Sequence, residues 1–392
     1  MTNRTLIVLA AALVVLALAA VWGQRGGTPP TQVDTLFLPE LQSALGDIDR
    51  IEVVGAGNEK IATLERRPES WVIAEKQGYP ADIAKIRGAL LALSEARIVE
   101  QKTANPAYYD RLGVEPVESE DASGVELTAY AGDTVRASVV VGTSDAANLQ
   151  YVRQRDADTS YLVDREIDLP RDAIGWIDPA ILDVASDRIA SVTIEHPDGE
   201  VVRISKEDRE QTNFTVENVP DGRELSYPGV ANVLANTLRD LRLDDVAPAD
   251  GDPAADVTRT TFRTFDGLIV TAESFEQDGD QWVRFAASVA QDDDGAAADD
   301  AAEAAAEAQE DDAADDAAEA QQDEAADSVS ASSSDDDGSS DDDGADVEAE
   351  AERINARVSG WQYRIPSYLF GQLTRRTEDL LRAVETDDDS DE

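Results

Sequence analysis

His196 is the only histidine of the chain, and it stands before Pro197-Asp198-Gly199 at the end of an expected hairpin. A general base or metal ligand there would need partners, and no Ser or Asp spacing marks a triad around it. The expectation is an exposed residue flanking a turn. Calcium binding is a second candidate chemistry. Ser339, Asp341, Asp343, Gly344 and Glu350 fall where a twelve-residue EF-hand loop places its residues. The first ligand is Ser rather than Asp, and the flanks do not read as helices. A stretch so rich in Asp and Gly also matches by accident, so only loose cation condensation is expected. Gly26-Gly27 lacks the Gly-Lys-Ser/Thr of a phosphate loop. Paired carboxylates could support an envelope hydrolase, because acidic residues are plentiful. That chemistry needs one carboxyl in a dry pocket and a second several ångströms away. Trp71, Trp176, Trp282 and Trp361 could line a groove, but their spacing favours core. No catalytic residue, metal site or cofactor is assigned.

The elements that would position any such group centre on a phrase that occurs twice. The first copy is Trp71-Val72-Ile73, then Tyr79-Pro80-Ala81-Asp82, then a predicted helix from Ile83 to Ala96. The second is Phe214-Thr215-Val216, then Tyr227-Pro228-Gly229, then a predicted helix from Val230 to Leu241. The two Tyr residues are 148 positions apart, and at that offset Ile86 meets Leu234, Leu90 meets Leu238, Leu93 meets Leu241 and Ile98 meets Val246. This set implies an internal duplication. Pro suits the first turn of a helix, and each Tyr-Pro pair would fix a strand-to-helix corner. Tyr79, Pro80, Asp82, Tyr227 and Pro228 therefore form a candidate interaction corner. Asp82 is also placed to stabilise a helix N-terminus.

The formal charge of −50 is unevenly spread. Residues 291–352 hold 26 acidic and no basic residues, and 385–392 hold 6 more. The remainder still has 51 acidic against 33 basic residues, and only five of the basic ones are Lys. Such a field repels nucleic acid and anionic headgroups, so nucleic-acid binding is excluded from the expected functions. With no Cys there is no disulfide and no thiolate metal site.

Thr5 to Gln24 is a 20-residue run without a charge, about 30 Å long as a helix and enough to cross a bilayer core. Ala17-Leu18-Ala19 offers a signal-peptide cleavage site, but the apolar run continues through Trp22, which favours an uncleaved anchor. The expected organisation is an anchor and linker over 1–30, a first unit over 31–185 and a second over 186–384, with an acidic tail over 385–392. Residues 291–352 are expected to be a disordered acidic insert in the second unit, since they carry no apolar period. The fold expectation is α+β: a transmembrane helix, then two tandem similar units, each an antiparallel sheet with an amphipathic helix. The closing helix is placed over Ser367 to Val384.

The anchor, the strand–Trp–strand opening, Tyr79-Pro80-Ala81-Asp82 before an amphipathic helix, the Tyr161-Leu162-Val163 strand and the unit repetition together resemble the bacterial DUF4340 family. The resemblance covers most of 45–285 and 360–384. It implies a single-pass envelope protein, of a kind often encoded beside an ABC-type transporter like those of gliding motility. It brings no catalytic residues. The second unit departs from the family pattern at Gly229-Val230, and the acidic insert lies outside it. The expected function is a non-enzymatic protein of the bacterial inner membrane, its bulk in the periplasm, serving a transporter or another envelope complex as an accessory or binding component. The alternatives are the carboxylate hydrolase and a calcium- or salt-responsive adhesin-like module. Nothing in the sequence sets an oligomeric state.

Overall fold

Short runs of β-branched and aliphatic residues, separated by Gly, Asn and Asp turns, build most of the chain into antiparallel strands. The computed structural model describes residues 35–68, 70–251, 256–290 and 340–384. It divides into two compact units, Met1–Asp178 and Pro179–Glu392. The class is α+β in kind and mainly β, with few helices. The expected anchor Thr5–Gln24, its linker, the acidic tail and the insert from 291 to 339 lie outside the described residues. Among the described residues no helix is long and apolar enough to cross a membrane.

In the first unit a short helix α1 (Leu41–Ala44) leads to β1 (Arg50–Val54), whose alternation buries Ile51 and Val53. Strands β2 (Lys60–Arg66), β3 (Trp71–Ile73) and β4 (Tyr79–Pro80) extend the sheet to one edge. Of the stripe predicted at Ile83, Ile86, Leu90 and Leu93, helix α2 (Ile83–Glu95) buries the last three and leaves Ile83 exposed. Strand β5 (Ile98–Gln101) follows. Strands β6 (Val125–Ala131), β7 (Thr134–Ser144), β8 (Gln150–Gln154) and β9 (Ser160–Val163) form the other half. The order is β4-β3-β2-β1-β6-β7-β8-β9-β5, so the connection through α2 carries the chain from one edge to the other, where Ile98 pairs with Val163.

The loop before β6 lies against the backbone of β7. A Cβ on Gly142 would sit 2.1 Å from the carbonyl oxygen of Leu112, a distance only glycine permits. Buried Arg153 fastens the same loop, donating from Nε to the Val114 carbonyl at 2.8 Å.

The second unit begins with β10 (Ala180–Leu182), β11 (Ile189–Glu195), β12 (Val201–Ser205), β13 (Thr215–Val216) and β14 (Arg223–Leu225). Helix α3 (Asn232–Ala235) and strands β15 (Leu241–Arg242), β16 (Asp245–Pro248), β17 (Thr258–Thr264), β18 (Leu268–Gln277) and β19 (Asp280–Val289) follow. Helix α4 (Ser340–Val358), β20 (Trp361–Arg364), helix α5 (Ser367–Leu373) and β21 (Leu381–Ala383) complete it. The main sheet runs β13-β12-β11-β17-β18-β19-β20-β16. Its far edge closes as in the first unit, with Val246 of β16 opposite Tyr363 of β20.

Three expectations need correction. The helix predicted from Val230 to Leu241 is only four residues long, although Val230, Leu234, Leu238 and Leu241 are all buried. Asn232, Asn236 and Thr237 turn their side chains onto nearby backbone groups, which competes with helix propagation. Leu241 and Arg242 are drawn into pairing with β10. The closing helix ends at Leu373, and its last predicted turns become β21, paired with β14. The insert's last part, 340–352, belongs to α4. Val347, Ala351 and Val358 are buried on one face of it, a period visible only when the residues past Glu352 are included.

Helix α4 lies against β18 and β19 and covers an edge that β20 leaves open beyond Val283. The Asn355 carboxamide replaces a strand there, accepting from Ala287 N at 2.9 Å and donating to Ala287 O at 2.7 Å. Arg188 ties the helix to the β17–β18 turn, with Nη2 2.8 Å from Asp266 Oδ2 and 2.7 Å from Glu350 Oε2. The hydrogen bonds Arg188 donates to Glu350 and then to Asp266 hold the guanidinium well above its ordinary range against its partial burial. Burial pulls the Asp266 carboxyl upward, but hydrogen bonds from Thr264 and Arg188 and the Arg188 charge leave it below the usual value. Its share of the latch is therefore complete above the unfolded Asp pKa of about 3.9 and is lost as pH falls through the lower folded value. Glu350→Gln is expected to weaken docking of α4 by about 1–2 kcal/mol. Faster amide exchange across 346–358, with the rest of the sheet unchanged, would be the measured result.

Candidate functional site

The first corner forms where β4 turns into α2. Asp82 caps the helix, its Oδ1 accepting from Ala84 N at 2.8 Å and Lys85 N at 3.3 Å. Its own N–H donates to the Trp176 carbonyl at 2.8 Å. Lys85 Nζ reaches the carbonyls of Gly175 at 2.7 Å and Ile177 at 2.9 Å. The corner thus clamps the end of the first unit. Tyr79 is buried beneath it, while Pro80 is exposed. Trp176 is wholly buried, as core placement predicts, with its indole N–H unpartnered. Trp71, Trp282 and Trp361 are half-buried.

Beside this corner runs an apolar groove of about 380 Å³. Leu45, Ile48 and Trp71 line it together with Ile83, Ile86, Leu90 and Leu91 of α2. Ile83 is 42% and Leu91 40% exposed, while Ile86 and Leu90, which also line the groove, are buried. Arg66 and Arg87 flank the groove.

The second corner is built differently. Tyr227 is 57% exposed and Pro228 is exposed too. The pinning passes to Asn232, whose Oδ1 accepts from Phe214 N at 3.0 Å and whose Nδ2 donates to Asn213 Oδ1 at 2.9 Å. The five corner residues therefore divide into a first set, with Tyr79 buried, Asp82 capping the helix and Pro80 exposed, and a second pair that is wholly exposed.

The second unit instead opens a polar cleft of about 700 Å³, where β17 begins, β18 ends and α5 crosses above them. Its lining includes His196, Thr258, Ser274 and Thr374, with Asp256, Glu276 and Arg376 around them. The first rung of the β17–β18 pair is Thr258 opposite Ser274. In the first unit the first rung of β6–β7 is Val125 opposite Val141, both buried. Ser274 is 2% exposed, and its hydroxyl has no hydrogen-bond partner.

His196 departs from expectation: it is buried at the cleft wall rather than exposed at a turn. Its Nε2 lies 3.2 Å from the Arg375 carbonyl and its Nδ1 3.4 Å from Thr258 Oγ1. With Nε2 donating to the carbonyl, Nδ1 faces the threonine hydroxyl, and both ring nitrogens have partners. His196 thereby fastens the chain after α5, as Thr260 does by donating to the Leu373 carbonyl at 2.6 Å. Arg376 is held by Asp198 at 2.8 Å and by Glu200. The hydrogen bond from Arg376 lowers the Asp198 carboxyl below its ordinary value. Burial raises that of Glu200, but bonds from Thr377 and Arg376 outweigh it and leave it lowered.

Of the calcium-loop candidate, Ser339 lies outside the described residues. Ser340 to Val358 is one helix, and Glu350 is engaged by Arg188. Among the described residues no group of three or more metal-ligating side chains comes together. The cleft residues Asp256, Ser274 and Glu276 escaped sequence reasoning. Their available signal was hydroxyls at Thr258, Thr260 and Ser274, on inward positions where the first unit has aliphatic side chains.

Residues 71–259 match the family described as Domain of unknown function (DUF4340). The match runs from β3 to the start of β17 and includes both corners, His196 and Thr258. No curated protein and no solved structure matched the chain.

Two substitutions probe these sites. Asp82→Ala is expected to cost about 1 kcal/mol in urea unfolding, and Asp82→Asn much less, because Asn also caps well. Ser274→Val should raise stability by about 1 kcal/mol, since it removes a buried unsatisfied hydroxyl from a strand. A higher urea midpoint at an unchanged slope is the readout.

Proposed function

We propose that this chain, a DUF4340 domain-containing protein, is a non-catalytic binding component of a bacterial envelope complex. Residues 5–24 would tether it to the inner membrane, leaving both units in the periplasm. The single observation carrying this reading is the apolar groove beside the first corner, where Ile83 and Leu91 are exposed next to the buried Ile86 and Leu90 of the same helix. Apolar surface rimmed by charge is the signature of a protein-binding site. Two arginines flank the groove in a strongly acidic chain, so the matching partner surface is apolar with an acidic border. Subunits of an ABC-type transporter are the partner class that the family resemblance brings.

The repetition fits this reading. The corresponding strand orders of the two sheets, and the shared far-edge closure, support descent of both units from one ancestor. The copies have since diverged. The first keeps a full-length helix and the groove beside it; the second has a shortened helix and the polar cleft.

The test is crosslinking in native membranes followed by solubilisation and capture. A transporter subunit is expected to come down with the protein. Leu91→Glu should reduce that capture about tenfold, equivalent to roughly 1.4 kcal/mol, while leaving the unfolding midpoint near the parent's. Capture of no transporter subunit, or capture indifferent to Leu91→Glu, would overturn the proposal.

A further inference from the structure

We infer that the cleft of the second unit binds a primary alkylammonium group, carried either by a small diamine or by a lysine side chain. This rests on the reading of the chain as a binding protein and names the chemistry of its second site. The argument starts from Ser274. Its hydroxyl is almost wholly buried and unpartnered, at a rung where the first unit has valine. A buried polar atom without a partner is costly to the free protein. A ligand donor reaching that oxygen would remove the deficit.

The charge around it selects the donor. Arg376 is already engaged by Asp198 and Glu200. Asp256 and Glu276 make no ion pair among the described residues, so the cleft carries an excess of negative charge. An anion entering it would meet these carboxylates with no cation left to answer it. A neutral polyol could donate hydroxyls to them but would leave their charge unbalanced. A divalent metal would need a cluster of ligands, and none forms among the described residues. An ammonium has three donors and no acceptor, and the cleft offers it carboxylates and an unpaired hydroxyl. Phe370 in the wall gives an alkyl stem apolar surface to lie against.

Titration calorimetry on the full chain at physiological salt tests the assignment. The ligands are 1,4-diaminobutane, a short acetylated peptide with one central lysine, and the same peptide with that lysine Nε-acetylated. Saturable one-to-one binding of the diamine or the lysine peptide is expected, and the acetylated peptide should fail to bind. Saturation by the diamine alone marks a small-molecule site; saturation by the peptide marks a lysine of a partner. Ser274→Val should weaken binding at least about tenfold while the protein becomes more stable, which separates loss of the site from loss of the fold. Asp256→Asn with Glu276→Gln should weaken it further and flatten its salt dependence. Heat that never saturates, or saturable binding unaltered by these substitutions, reports condensation on the acidic segments and overturns the inference. Equal binding of the acetylated peptide overturns it too. The groove variant Leu91→Glu should bind the amine normally, so failure of the partner reading and failure of this one are told apart.

Discussion

A strand left with an unpaired edge is the constraint from which the architecture follows. In each unit the chain builds a meander to one edge, then must supply a strand at the opposite edge before the last strand of the sheet exists. Ile98 waits for Val163, and Val246 waits for Tyr363. The connection through the helix has to be aimed correctly at its start, and this explains the investment at the first corner. Asp82 fixes the first turn of α2 and Lys85 ties it to the end of the unit. The same constraint explains why a long acidic segment is tolerated between β19 and β20. Its sequence is immaterial to the sheet provided that α4 returns the chain in register.

Where the pattern was local, it could be read. The stripe of Ile86, Leu90 and Leu93 has a clean helical period uninterrupted by Asn or Thr, and α2 forms as predicted. The second stripe has the same apolar spacing, but Asn232, Asn236 and Thr237 sit between the leucines and bond to the backbone. Apolar period sets which side chains are buried; the intervening polar residues decide whether a helix persists. The burial of His196 was illegible for another reason. Its neighbours are Arg375 and Thr258, brought from distant parts of the chain. No local spacing encodes such a meeting. The start of α4 was lost to a compositional boundary, because its buried residues straddle the point where acidity gives way to ordinary sequence.

The two units illustrate how one strand arrangement can serve different ends. In the first, the inward rung at the start of β6 is valine against valine, and glycines on the other face admit a close loop. In the second, the corresponding hairpin begins with threonine and serine, and space opens above them. The substitutions exchange packing for hydrogen-bonding capacity, and one hydroxyl is left unsatisfied. In the second unit that rung of the sheet lies beneath a cleft, within a strand order that matches the first.

The pairing of β16 with β20 also sets a schedule for synthesis. Asp245 meets Arg364, so the second sheet cannot close until the chain has been made as far as Arg364, across the whole acidic stretch. The first sheet needs nothing beyond Val163 for its own closure. The chain therefore matures in two stages, an early one completed by nearby partners and a late one held open across the acidic stretch. Through that interval the dense negative charge of 291–352 repels other copies of itself. Repulsion of that kind opposes association of copies at the stage when exposed strand edges could otherwise find each other.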